Sequence, residues 1–168
     1  MNKLTYIHKK GHTLLEAVLY TAILTLLLFV MVNTFISIGH IYGTVHSVRS
    51  INSGAITMLD RLVYEIRRGE SIVDAETIFG TILSSITLRT SANDISFEIV
   101  DGALTITETG GTGGSITSEN VQVTAFVLER IVTGRGDGVK IALTLQSGTG
   151  RAERTKTFYT SAVLRGNY

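Results

Sequence analysis

The sequence predicts an α+β fold: a long N-terminal α-helix, membrane-spanning in its N-terminal half and amphipathic in its C-terminal half, packed by a small antiparallel β-sheet head. Three observations carry that reading. Residues 17–38 (AVLYTAILTLLLFVMVNTFISI) run for 22 positions without a charge. Residues 51–66 repeat their apolar side chains at spacings of three and four. Beyond Gly69 the pattern changes to β-branched residues alternating with polar ones.

Composition narrows the chemistry. With 44% hydrophobic and 17% charged content in 168 residues, the chain is too apolar for disorder and long enough for one domain plus a further segment. Fifteen Lys and Arg stand against 14 Asp and Glu, a formal charge of +1, so no bulk charge draws it to nucleic acid. Cys, Pro and Trp are absent, which removes disulfides, thiolate nucleophiles, cysteine zinc sites and iron–sulfur clusters. All four histidines (His8, His12, His40, His46) lie in the first 46 residues, leaving the rest of the chain no imidazole for a triad, a general base or a metal site. The expectation is a protein that is not an enzyme, with no catalytic residue, no metal ligand and no cofactor.

The uncharged run is about 33 Å long as a helix at ~1.5 Å per residue, enough to cross a bilayer. A buried helix of a soluble domain would show a polar face or stop after roughly 10 to 14 apolar residues. Here the only strongly polar interruption is Asn33. Lys3, Lys9 and Lys10 precede the run and no Lys or Arg follows until Arg49, which places the N-terminus in the cytoplasm and the head outside. A secretory signal peptide is the competing reading. It fits badly, because the run exceeds the ~7 to 15 residues of such a segment and no A-x-A-like site closes it.

Helical patterning continues through Ile51, Ala55, Met58, Leu59, Leu62 and Ile66, with Asp60, Arg61, Glu65 and Arg67 assigned to the other faces. Arg67 and Arg68 before Gly69 form the stop, cations at the negative end of the dipole followed by a residue that can turn left-handed. A continuous helix from Thr13 to Arg68 spans about 84 Å at ~1.5 Å per residue, beyond any small domain. Gly39 and Gly43 are four residues apart and leave three readings open: a close-packing face for another helix, a soft point in this one, or simple tolerance of glycine at a membrane exit.

Six strands are expected at residues 84–90, 94–100, 103–108, 120–132, 139–145 and 155–164. Asp101-Gly102 is the strongest hairpin signal, and the stretches TGGTGGS (109–115), TGRGDG (133–138) and SGTG (147–150) punctuate the rest. One antiparallel sheet follows, with the helix face from Ile51 to Ile66 as its apolar cover.

The informative stretch for function is Lys9-Lys10-Gly11-His12-Thr13-Leu14-Leu15-Glu16, directly before the apolar run. A carboxylate at the bilayer centre costs roughly 2.5 to 3.5 kcal/mol on insertion scales and less near the end, so Glu16 is kept at an interface or for a partner. Thr13-x-x-Glu16 also reads as a capping box. That reading leaves Lys9, Lys10 and Gly11 unexplained.

The pattern K-K-G-H-T-L-L-E followed by some twenty apolar residues resembles the type IV prepilin class, including minor pilins and the pseudopilins of type II secretion and competence systems. The resemblance is specific over residues 9–38 and architectural beyond. Segments such as VKIALTL and TFYTSAVLR resemble minor-pilin heads more weakly. It implies a leader, residues 1–11, carrying the charge of Lys9 and Lys10. Cleavage between Gly11 and His12 by a membrane prepilin peptidase, N-methylation of His12, and Glu16 as the assembly residue follow from the same resemblance. It further implies an assembly helix at 12–38, an amphipathic continuation at 39–68 and a β head at 69–168. The implied partners are the prepilin peptidase, other pilin or pseudopilin subunits, and the cytoplasmic membrane before assembly into a surface filament or periplasmic pseudopilus. His12 departs from the family's usual Phe or Met. The missing helix proline and C-terminal disulfide loop favour a minor pilin or pseudopilin over an abundant structural one.

Elementary electrostatics supports such a role. Losing Lys3, Lys9 and Lys10 leaves 12 basic against 14 acidic side chains, a shift from +1 to −2. An apolar helix with one acid then seeks a cation, and the α-amine freed on a neighbouring subunit can supply it and set axial register.

Other signals are weak. Arg135-Gly136-Asp137 is a tripeptide read by some adhesion receptors, TGGTGGS lacks the Lys-Ser/Thr of a phosphate loop, and Asp94, Asp101 and Asp137 have no EF-hand spacing. Arg151, Arg154, Lys156 and Arg165 cluster near the C-terminus with only Phe158 and Tyr159 between them, so DNA is an unsupported partner, as is a host surface. The alternative function is a signal-anchored single-pass membrane protein with an outward-facing ligand-binding head. A third is a tip adhesin of the same filament class, specific through its head loops.

Overall fold

A computed structural model describes residues 14–111, 113–133 and 136–165. Lys9, Lys10, Gly11 and His12 lie outside the described residues, as does Thr13 of the expected capping box. One helix, α1 (Leu14–Arg68), precedes eight strands: β1 (Ser71–Ile72), β2 (Ile86–Arg89), β3 (Asp94–Val100), β4 (Ala103–Glu108), β5 (Gly114–Ser115), β6 (Gln122–Thr133), β7 (Gly136–Ser147) and β8 (Arg154–Val163). Short 3-10 turns occupy Asp74–Glu76 and Gly150–Ala152. The chain divides into two units, Met1–His40 and Ile41–Tyr168.

In the first unit the described residues are all helix, and none is buried. No glycine or proline breaks the Leu-, Val- and Ile-rich run before Gly39, and Thr21, Thr25 and Thr34 return their hydroxyls to backbone carbonyls one turn back. The helix continues through Gly39, around which a side chain would meet open space.

In the second unit α1 buries Ser47, Ile51, Gly54, Ala55, Met58, Leu62, Glu65 and Ile66. The helix also runs through Gly43, where a Cβ would stand 3.2 Å from Cβ of Ala152 in the turn before β8. The helix ends at Arg68 as expected, but Gly69 does not take a left-handed φ; its N–H donates to the carbonyls of Glu65 at 2.8 Å and Ile66 at 3.2 Å, using orphan acceptors of the last turn.

The single expected sheet is corrected to two, one of five strands in the order β1-β2-β3-β4-β5 and one of three in the order β6-β7-β8. Period-two alternation specifies which side of a strand is apolar, not which strand is its neighbour, so it cannot reveal where one ladder ends. The break falls after β5, a two-residue strand within the glycine-rich TGGTGGS stretch. A parallel bridge between Leu83, in the segment before β2, and Phe126 links that segment to β6, with the Phe126 N–H donating to Ile82 O at 2.7 Å and Ser84 N–H donating to Phe126 O at 2.8 Å. Both sheets feed one core: Phe97 and Leu104 from the first, Phe126 and Ile141 from the second, and Met58, Leu62 and Ile66 from α1. Each such side chain contributes about 1.5–3 kcal/mol on burial.

Strands β3 and β4 lie where the alternation places them. Val100 pairs with Ala103 across Asp101 (φ 51°) and Gly102 (φ 76°), the two left-handed residues that a type I′ hairpin turn requires. β7 extends beyond 139–145 at both ends, and β6 starts two residues later than 120–132 and ends one later, because TGRGDG is largely absorbed into the ladder, with Thr133 paired to Gly136.

The larger correction concerns Glu65, assigned above to a polar face but fully buried. Positions 51, 58 and 65 are seven apart, so Glu65 continues the stripe of Ile51 and Met58.

Candidate functional site

Glu16 sits in the first turn of α1, where the positive end of the helix dipole favours a carboxylate. The Tyr20 hydroxyl, one turn on, donates to its Oε1 at 3.2 Å. No other acid occurs before Asp60. This carboxylate lies at the margin of an apolar segment and accepts from a neighbour on its own helix.

The segment that follows can span a membrane. Its most apolar 18-residue stretch has a mean hydropathy of 2.3, and none of that stretch is buried. Leu15, Phe29 and Phe35 are 78%, 69% and 71% exposed. Water-facing apolar surface on this scale marks contact with lipid or with other protein. Its threonines are compatible with either: Thr21 donates to Ala17 O at 3.0 Å, Thr25 to Thr21 O at 2.7 Å and Thr34 to Val30 O at 2.8 Å, so each hydroxyl is satisfied without water.

Comparison of the chain with protein-family models, with curated proteins and with solved structures returned no match. The chain is thus characterised by its own architecture: a long helix, apolar and unburied in its N-terminal part, followed by an antiparallel β head whose core includes the helix's C-terminal part.

The other sequence signals resolve as follows. Asp137 of the Arg135-Gly136-Asp137 tripeptide accepts from Arg130 Nη2 at 2.5 Å, while Arg130 Nη1 donates to Asp74 at 2.7 Å, so this aspartate is committed to the head's own structure. Arg135 lies outside the described residues. Donation to Asp137, then to Asp74, raises the Arg130 guanidinium above its already high ordinary pKa. A raised value keeps the stabilising charge at neutral pH and loses it only in strongly alkaline solution. In the C-terminal basic group Arg154 donates to Thr44 Oγ1 at 3.3 Å and Lys156 to Asn52 Oδ1 at 3.1 Å, tying β8 to α1. Among the described residues no three His, Cys, Asp or Glu side chains are placed to hold a metal ion.

Two features escaped the sequence reading. Glu65 has Arg61 Nη2 2.8 Å from its Oε1, yet neither carboxylate oxygen has a hydrogen-bond partner, so the pair is held by charge without aligned donors. Its seven-residue spacing from Met58 was the available signal. The second is a polar cleft of ≈ 380 Å³ between α1, the segment before β6 and the end of β7, lined by His46, Glu119, Gln122 and Gln146 among others. Gly148 (φ 90°) belongs to its lining, and a Cβ there would overlap Ser47 Oγ and come within 2.5 Å of Ala152 O. Three segments distant in sequence build this cleft, and no local pattern announces it.

Proposed function

We propose that the chain is a non-catalytic subunit of a type IV pilus-like filament, a minor pilin or pseudopilin, held in the cytoplasmic membrane by its apolar helix before assembly. In this reading the prepilin peptidase cleaves between Gly11 and His12, and the freed amine of one subunit pairs with Glu16 of its neighbour as the apolar helices pack. Lys9 and Lys10 leave with the leader, and methylation of the His12 amine would keep its positive charge.

The observation that supports this reading is the conjunction of an unburied apolar stretch in the N-terminal part of α1 and a single acid at its start. Lipid can cover the apolar side chains, but it offers no fixed cation to a carboxylate drawn below the headgroups. A row of like helices offers both. Removing one partner of a buried pair leaves an uncompensated charge, costing on the order of 3 to 5 kcal/mol when burial is complete.

The test is Glu16→Ala in the producing cell. Membrane insertion should be unchanged, while incorporation into sheared or purified filaments falls at least tenfold. Normal incorporation of the variant would sink the pairing. A chain that never leaves the membrane, with or without Glu16, would favour the signal-anchored alternative.

A further inference from the structure

Asn33 is the one strongly polar residue of the apolar run, and the function proposed above does not use it. Thr21, Thr25 and Thr34 each return a hydroxyl to the backbone, and Tyr20 donates to Glu16. The Asn33 carboxamide has no hydrogen-bond partner among the described residues. Neither does the Ser37 hydroxyl one turn on, although the helical geometry that satisfies Thr34 was open to it. In hydrocarbon, or in a packed bundle, such groups cost free energy until something meets them.

The spacing says what meets them. Pairing Glu16 of one copy with the amine of residue 12 on the next sets a stagger of four residues, about 6 Å at ~1.5 Å per residue. The same stagger brings Ser37 of the first copy level with Asn33 of the second. Positions 16 and 37 are 21 residues apart, as are 12 and 33, so each set is three heptads long and follows one coiled-coil seam. On the first helix the seam reads Ile23, Val30, Ser37; on the second it reads Leu19, Leu26, Asn33. Ser37 then faces Asn33, and apolar groups face apolar groups below them. Ile23, Val30, Leu19 and Leu26 are 52%, 54%, 55% and 67% exposed and have their surfaces free for this contact.

We infer that Ser37 of one copy and Asn33 of a second copy form an interhelical hydrogen bond that fixes the same four-residue stagger as the Glu16–amine pair. The inference rests on the assembly reading above. A carboxamide supplies donors and an acceptor, and a hydroxyl supplies both, so this contact satisfies groups that lipid tails cannot. A lone polar contact in an apolar seam adds little affinity but penalises every other register.

The chain contains no cysteine, so introduced ones report cleanly. Two differently tagged full-length copies, one Ser37→Cys and one Asn33→Cys, are produced together and oxidised in native membranes and filaments. The mixed disulfide should exceed either like-with-like disulfide by about tenfold. Independently, Asn33→Val and Ser37→Ala should each lower incorporation about threefold to tenfold, with the double variant no worse than the worse single, because all three lose one bond. Dominant Asn33→Cys self-crosslinking, or additive losses in the double variant, would overturn the inference. If Glu16→Ala blocks incorporation while Asn33→Val and Ser37→Ala do not, the assembly reading stands and this contact falls. If Glu16→Ala incorporates normally and no disulfide forms, both fall.

Discussion

Residues 14–40 and 41–68 belong to one helix but answer to different solvents. The first stretch carries Leu, Ile, Val and Phe on every side and buries none of them. The second confines its burial to a stripe through Ile51, Met58 and Leu62, and covers that stripe with two sheets. Identical backbone geometry thus serves opposite ends: the stripe is completed within the chain, whereas the all-round apolar surface is completed only by something else. Where a helix satisfies itself its mutations report on folding, and where it does not they report on association.

The largest expected effect tests that division directly. Leu62→Ala should destabilise the head by about 2–5 kcal/mol in denaturant unfolding of the full chain in micelles, whereas Leu27→Ala should stay within ~0.5 kcal/mol. Equal losses at the two positions would erase the contrast. Next comes the buried carboxylate. Arg61→Ala should cost about 1–3 kcal/mol, below the figure for a fully buried pair because the Arg61 side chain is 46% exposed. Glu65→Met should be neutral or stabilising in the same assay, since an apolar isostere replaces a carboxylate lacking aligned donors. Gly148→Ala follows, at about 1–3 kcal/mol, from its left-handed φ of 90° and the overlap with Ser47. The smallest effect belongs to the apolar half: Thr25→Val should leave membrane insertion unchanged, because that hydroxyl is already satisfied by Thr21 O.

How far the fold could be read from the chain follows the same division. The end of α1 at Arg68 was legible because Gly69 supplies the stop, and β3 and β4 were legible because Asp101-Gly102 fixes their register. β1 and β5 were not, since two residues cannot display a period. The partition into two sheets depends on pairing between distant segments, which alternation does not encode. Glu65 was misplaced because charge was given precedence over its seven-residue spacing from Met58. Of the candidate site, Glu16 and the apolar run were visible as composition. The unpartnered state of Asn33 and Ser37 became visible only against the threonines that bond their own backbone.

The account turns on whether the N-terminal stretch is completed by neighbours through a newly exposed amine. Intact mass and N-terminal sequencing of the assembled protein from its own cell measure this most directly. The expected chain begins at His12 with Glu16 as its fifth residue. Assembled, functional protein that still carries Met1 to Gly11 would contradict it.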